Sequence, residues 1–151
     1  MKKCYICILL MVLPVGCNEP QLTALQMREF QARDLQGTFD NAYKATLQVF
    51  QDYGYTIKNT DYKSGVIQGE TGSKKDENYF WNGAMINTEA TATLEQFDPN
   101  TVKERLSLVN RKRVLGYYNY ENTEKIETPA LYQKMYDDIQ KEMFVRQNLN
   151  K

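Results

Sequence analysis

Apolar residues recur at helical spacing in two segments of the chain. In residues 38–53 they lie three or four positions apart, which places them on one face of a helix: Phe39, Ala42, Tyr43, Leu47, Phe50 and Tyr53. Thr38 is suited to cap the start of this helix. Gly54 is suited to end it, because glycine adopts the positive φ of a helix C-terminus without a steric penalty.

The second helical pattern follows Thr128 and Pro129. Threonine caps helices, and proline fits the first helical position because its missing N–H would have no partner there. The apolar positions that follow form one stripe: Leu131, Tyr132, Met135, Tyr136, Ile139, Met143 and Phe144. The opposite side is polar and charged, so we expect this helix to pack through one face against a sheet or another helix.

Between the two helices, apolar and polar residues alternate with the period of half-buried strands. Residues 55–60 and 66–71 flank the turn-forming residues 61–65 and predict a hairpin. Residues 86–97 and 102–110 flank a second turn, in which Pro99 occupies the favoured second position. Residues 111–120 could extend the last strand or form a loop.

This order of elements predicts an α+β domain over residues 38–147. We expect a four-stranded, mostly antiparallel sheet with both helices on one face. No internal repeat or low-complexity tract interrupts it.

The N-terminus has a different pattern. Two lysines precede the apolar residues 4–13, and the small residue Gly16 follows. This is the layout of a secretory signal peptide, and the apolar run is shorter than the roughly 20 residues of a membrane-spanning helix. We therefore predict that residues 1–16 are removed. Residues 17–37, which have scattered apolar positions, then form a lipidated N-terminus and a flexible tether.

Residues 13–17, with the sequence Leu-Pro-Val-Gly-Cys, resemble the lipobox of bacterial lipoproteins. In that class the thiol of the cysteine takes a diacylglyceryl group before cleavage, and fatty acids such as palmitate anchor the chain. The resemblance implies lipidation of Cys17. The sequence departs from the pattern at Pro14, where the class usually has leucine, so secretion without lipid is the alternative. Asn18, rather than aspartate, implies sorting to the periplasmic side of the outer membrane.

Charge and cysteine content argue against nucleic-acid binding and against an internal disulfide. The full chain has 19 basic and 19 acidic residues, and removing Lys2 and Lys3 with the signal peptide leaves 17 basic residues. A slightly acidic chain has no basic footprint for nucleic acid. Of the three cysteines, Cys4 and Cys7 lie in the segment predicted to be removed, so the mature chain cannot form an internal disulfide.

Two stretches carry a further resemblance. One runs over residues 42–69 and includes Asp-Tyr-Gly-Tyr-x-Ile at 52–57; the other is Thr-Pro-Ala-Leu-Tyr-Gln at 128–133 with the helix after it. Together they resemble small Gram-negative envelope lipoproteins. More loosely, they are similar to domains of the lipoprotein C subunit of the outer-membrane β-barrel assembly machinery. The resemblance implies an anchored protein with a role in envelope assembly and an envelope protein as partner, and it supplies no catalytic residues.

Catalytic chemistry has little support in the sequence. The chain contains no histidine, which excludes the usual serine and cysteine triads and histidine-ligated metals. Residues 69–75 lack the spacing of a phosphate-binding loop. The acidic pairs at 76–77 and 137–138 fit solvated charge better than a carboxylate pair of a glycosidase. We therefore expect no catalytic residues, cofactor or metal.

Two aromatic-rich stretches are candidates for partner contact. Tyr79, Phe80 and Trp81 form one cluster. Alternatively, these rings close the open end of the core. The second stretch combines a basic run with aromatic residues, as partner-binding surfaces often do: Arg111, Arg113, Tyr117 and Tyr118. Its alternative is a charged strand edge that prevents edge pairing.

Two functions are compatible with these features. The first is a non-catalytic lipoprotein whose periplasmic domain binds or helps to assemble other envelope proteins. The second is a binding protein or enzyme that acts on cell-wall glycan or lipid through carboxylates and tyrosines. The second function requires a concave pocket lined by several aromatic rings and at least one buried acid.

Overall fold

The computed structural model describes residues 23–76, 83–114 and 120–149. Within these ranges the chain forms three helices, α1 (Ala24–Gln31), α2 (Phe39–Asp52) and α3 (Pro129–Leu149). It also forms seven strands: β1 (Ala32–Gln36), β2 (Thr56–Asp61), β3 (Val66–Glu70), β4 (Lys74–Lys75), β5 (Ala84–Asp98), β6 (Thr101–Val114) and β7 (Tyr120–Lys125).

All strand pairs are antiparallel and belong to one sheet. The order of the main path is β1-β6-β5-β3-β2. The long β5–β6 hairpin forms the centre of the sheet. On the far side of β5 lie β3 and β4, and on the far side of β6 lie β1 and β7. Because β1 pairs with 101–105 and β7 with 109–114, these two strands share the same edge of β6.

The predicted α+β class is confirmed, but the predicted count of four strands and two helices is wrong. The predicted hairpins correspond to β2–β3 and β5–β6, and residues 111–114 extend β6. The additional strands β4 and β7 have only exposed residues, so no apolar alternation marks them.

The prediction of a flexible tether over residues 17–37 is wrong for its second half, where α1 and β1 form. Thr23 caps α1 with a capping box, in which its side chain and that of Gln26 satisfy each other's backbone N–H groups. Met27 and Leu35 are buried in the core. The folded domain therefore begins near residue 23 rather than at 38.

Helix α2 forms as the pattern predicted. The Thr38 side chain accepts a hydrogen bond from the Asn41 N–H, and Gly54 has a φ of +81° after the last turn. Its apolar face packs against the sheet and α3 and contributes Ala42, Tyr43, Ala45, Val49 and Phe50 to the core.

Helix α3 buries most of its predicted stripe, with the exception of Phe144. Tyr132, Met135, Tyr136, Ile139 and Met143 are at most 1% exposed. Phe144 is 65% exposed, because the buried stripe passes through Met143 in the fifth turn of the helix. The prediction that Phe144 belongs to the core is therefore wrong.

Two tyrosines of α3 complete the sheet where β1 and β7 separate from β6. The Tyr132 hydroxyl accepts from the Leu108 N–H at 3.2 Å and donates to the Ile126 carbonyl at 3.0 Å. The Tyr136 hydroxyl accepts from the Leu106 N–H at 3.1 Å and donates to the Gln31 carbonyl at 2.6 Å. Each hydroxyl thus links β6 to the residue that adjoins the neighbouring strand, Gln31 before β1 and Ile126 after β7, and satisfies backbone groups that burial would otherwise leave unpaired.

Candidate interaction surface on the open face of the sheet

The two faces of the sheet differ because side chains alternate along each strand. Helices α2 and α3 cover the face that carries Ala92, Leu94 and Leu106. The opposite face, which we call the outer face, is not covered by any element within the described residues. Its central strands β5 and β6 present mainly polar and charged side chains: Glu89, Thr91, Thr93, Glu95, Lys103, Arg105, Arg111 and Arg113.

Arg111 lies at the centre of an ion-pair cluster on this face. Its Nε is 2.7 Å from Oε1 of Glu89, and one of its terminal nitrogens is 3.3 Å from Oε1 of Glu121. Arg113 reaches the other oxygen of Glu121 at 3.6 Å. The predicted basic run is thus compensated by acidic residues from both neighbouring strands, and it does not form a positive patch.

Two shallow grooves flank Arg111. Both are bounded by Glu70, Glu89 and Arg111, and their volumes are about 230 and 340 Å³. The first also includes Lys58, which is 2.7 Å from Glu70. Small-molecule pockets are usually lined by apolar and aromatic groups. These open, charged grooves fit the contact surface of a macromolecule better.

The structure places only part of the predicted contact residues. Arg111 and Arg113 lie on the outer face. Tyr79, Phe80, Trp81, Tyr117 and Tyr118 lie outside the described residues, so their predicted role stays a prediction. Lys112 points to the other face, where its Nζ is 2.5 Å from Asp76. Asp76 is only 8% exposed, so the expectation of a solvated loop acid at this position is wrong.

Glu104 is a buried acid that the sequence analysis did not identify as a candidate. It is fully buried between β6 and α2, and burial raises its pKa to about 8, against a lowering contribution from the hydrogen bond with Thr46. The Thr46 hydroxyl lies 2.8 Å from Oε1 of Glu104 and 2.9 Å from the Ala42 carbonyl. A hydroxyl has one proton, so both contacts are hydrogen bonds only when Glu104 is protonated and donates.

A second carboxylate–tyrosine contact joins α2 to α3. The Tyr53 hydroxyl donates to Asp138 at 2.8 Å and accepts from Lys134 at 3.0 Å. Burial raises the pKa of Tyr53, while the hydrogen bond from Lys134 lowers it in part. The groove beside this contact contains one aromatic ring, that of Tyr53. Glu104 does not border it, so the several rings and buried acid that a glycan-binding pocket requires do not meet here.

The described residues form neither a metal-binding cluster nor a membrane-spanning helix. Among the described residues, no group of three or more histidine, cysteine or acidic side chains could hold a metal ion. None of the helices in the described ranges is both long and apolar enough to cross a membrane.

Comparisons with known proteins find distant similarity to solved structures and none to family models or curated proteins. No protein-family model matches the chain, and no curated protein matches it. Among solved structures, it is similar to the crystal structure of a DUF4468 family protein from Bacteroides ovatus. The two chains are 14% identical, and the similarity covers 74% of this chain and 84% of the other with a TM-score of 0.43. This similarity is too distant to assign the chain to that family.

Proposed function

We propose that this protein is a non-catalytic lipoprotein that is anchored through Cys17 on the periplasmic side of the outer membrane. Its α+β domain binds another envelope protein through the outer face of the sheet. The signal-peptide pattern and the Gly-Cys pair at 16–17 support the anchor. A lipid with two or more chains attaches a protein stably, whereas one chain does so only marginally.

The observation that carries the proposed interaction is the ion-pair cluster around Arg111. The side chains of Arg111 and Glu121 are 45% and 43% exposed, so water screens their attraction and the pair adds little to the stability of the fold. Charges arranged in this way still determine which partner docks and in which orientation. An uncovered strand face with charges of both signs therefore supports protein recognition better than catalysis.

The test is crosslinking in intact cells followed by purification of the full chain. Arg111→Gln removes the central charge of the outer face, and Lys44→Gln removes an exposed lysine of α2 on the other side of the domain. We expect wild type and Lys44→Gln to recover the same envelope protein, and Arg111→Gln to lose it. Recovery of no reproducible partner, or equal recovery with both variants, would contradict the proposal.

A further inference from the structure

Strand β7 lies at an edge of the sheet, and no other strand in the described ranges pairs with its second side. It pairs with β6 on one side through an uninterrupted register from Val109↔Lys125 to Val114↔Tyr120. All six of its residues are exposed. A free strand edge carries unpaired N–H and C=O groups, which form a template for another strand.

The outer strands β1 and β2 have features that prevent such pairing, and the outer strand β4 has only two residues. On β1, the side-chain amide of Gln140 occupies the edge: it accepts from the Gln36 N–H at 3.0 Å and donates to the Gln36 carbonyl at 3.2 Å. On β2, the register with β3 is irregular between Ile57 and Asn59. Irregular registers and filled edges are common ways to block edge pairing. Within the described ranges, β7 has neither feature.

The backbone groups of β7 that point away from β6 can be identified. The N–H of Ile126 donates to the Leu108 carbonyl at 3.0 Å, so the groups of Ile126 point toward β6. Residues two apart in a strand point to the same side. The backbone groups of Glu124 and Asn122 therefore also face β6. Those of Glu121, Thr123 and Lys125 face outward.

We propose that a second copy of this chain pairs with β7 in antiparallel fashion, about a two-fold axis at Thr123. In this register Thr123 meets Thr123 of the other copy, and Glu121 meets Lys125. These are the residues whose backbone groups face outward, so each pair can exchange two hydrogen bonds. The two-fold axis produces two Glu121–Lys125 pairs, one on each side of Thr123. Opposite charges therefore meet at both ends of the paired segment.

The side chains on the other face of β7 are also compatible with this register. Tyr120 lies opposite Ile126, an aromatic and a β-branched residue, and Asn122 lies opposite Glu124. Opposite-charge, Thr–Thr and aromatic–β-branched pairs are the cross-strand combinations that stabilise antiparallel sheets. A shift by one residue would bring Glu124 opposite Glu121, or Lys125 opposite Asn122, and would lose this match. The strand sequence thus selects one register with itself.

This proposal rests on the backbone edge of β7 and requires neither the anchor nor the envelope partner, although Glu121 also belongs to the ion-pair cluster of the outer face. It places two copies in one continuous sheet with the helices of both on the same face. A two-fold axis also gives a closed dimer, as in most soluble homo-oligomers.

Disulfide trapping in the full chain tests this register. Paired residues of this type have Cα atoms about 5.5 Å apart, which is within the range that a disulfide can span. We expect Thr123→Cys to give a disulfide-linked dimer when whole cells are mildly oxidised. Thr56→Cys, an exposed threonine of β2, is the matched control, and the wild-type chain measures any background from its own cysteines.

A second variant removes the pairing without an added cysteine. The Thr123 N–H faces away from β6, so Thr123→Pro removes an outward donor and leaves the β6–β7 bonds in place. We expect wild type to sediment as a dimer and Thr123→Pro as a monomer with an unchanged circular dichroism spectrum. A monomeric wild type, equal crosslinking at Thr56→Cys, or a disulfide from Thr123→Cys to a protein of another mass would overturn the proposal.

Discussion

The hydroxyl oxygen of Tyr132 lies 3.2 Å from the backbone nitrogen of Leu108, and neither residue is exposed to solvent. The same hydroxyl donates to the carbonyl of Ile126. A side chain of α3 therefore fills one position of the backbone ladder between β6 and the end of β7. The helix and this part of the sheet are joined by hydrogen bonds as well as by apolar packing.

Tyr132→Phe is expected to destabilise the fold by roughly 1–3 kcal/mol, because it leaves a buried N–H and a carbonyl without their partner. Tyr62→Phe is the matched control, since the Tyr62 ring is 51% exposed. Urea unfolding of both variants measures the difference. Equal midpoints for the two variants would show that the Tyr132 hydroxyl contributes nothing to stability.

Glu104 makes the stability depend on pH. Burial raises its folded-state pKa from the ordinary 4.5 to about 8, so the folded chain keeps a proton that the unfolded chain releases across this interval. The contribution of Glu104 to the free energy of unfolding should therefore be greatest below pH 4.5, fall as the pH rises toward about 8, and become constant above it. The total change in this contribution is roughly 5 kcal/mol.

Glu104→Gln tests this assignment, because glutamine resembles the neutral acid and can still donate to Thr46. We expect the variant and wild type to differ little near pH 5, and the variant to be more stable near pH 8. Other titratable groups affect both chains alike. Glu95→Gln, which removes an exposed glutamate of β5, should keep the wild-type pH dependence. A parallel loss of stability with pH in wild type and Glu104→Gln would contradict the buried proton.

Gly65 occupies a turn that packs directly on β5. Its φ is +69°, and its carbonyl accepts from the Leu94 N–H at 2.8 Å. A Cβ at this position would overlap the Leu94 carbonyl oxygen. Gly65→Ala should therefore cost more than Gly54→Ala, which has a similar φ but open space around it and should cost about 1 kcal/mol. Thermal unfolding of the two variants measures both costs. Because both variants have the backbone strain, the additional loss in Gly65→Ala is due to the steric overlap.

The sequence predicted the parts of the fold that have an apolar period. Helices α2 and α3 and the two hairpins follow from the positions of their apolar residues. Strand β7 has the sequence Tyr-Glu-Asn-Thr-Glu-Lys and exposes every residue, so no alternation identifies it. Segment 24–36 was missed because a short helix and a five-residue strand bury few side chains, chiefly Met27 and Leu35.

The candidate site was less predictable. The run at 111–113 identified Arg111, but the compensating Glu89 and Glu121 come from other strands and depend on the register. Glu104 could have been found, because it occupies the alternating position between Val102 and Leu106 and therefore lies on the same apolar face of the strand. Its contact with Thr46 depends on how α2 crosses the sheet, which the pattern of neither segment determines.

The lipid anchor at Cys17 is tested most directly by the intact mass of the protein purified from membranes, measured beside Cys17→Ala. We expect a chain that begins at Cys17 and carries the added mass of a diacylglyceryl group and an acyl chain, both absent from the variant. An unmodified or uncleaved wild-type mass would contradict the anchor and the envelope location that depends on it.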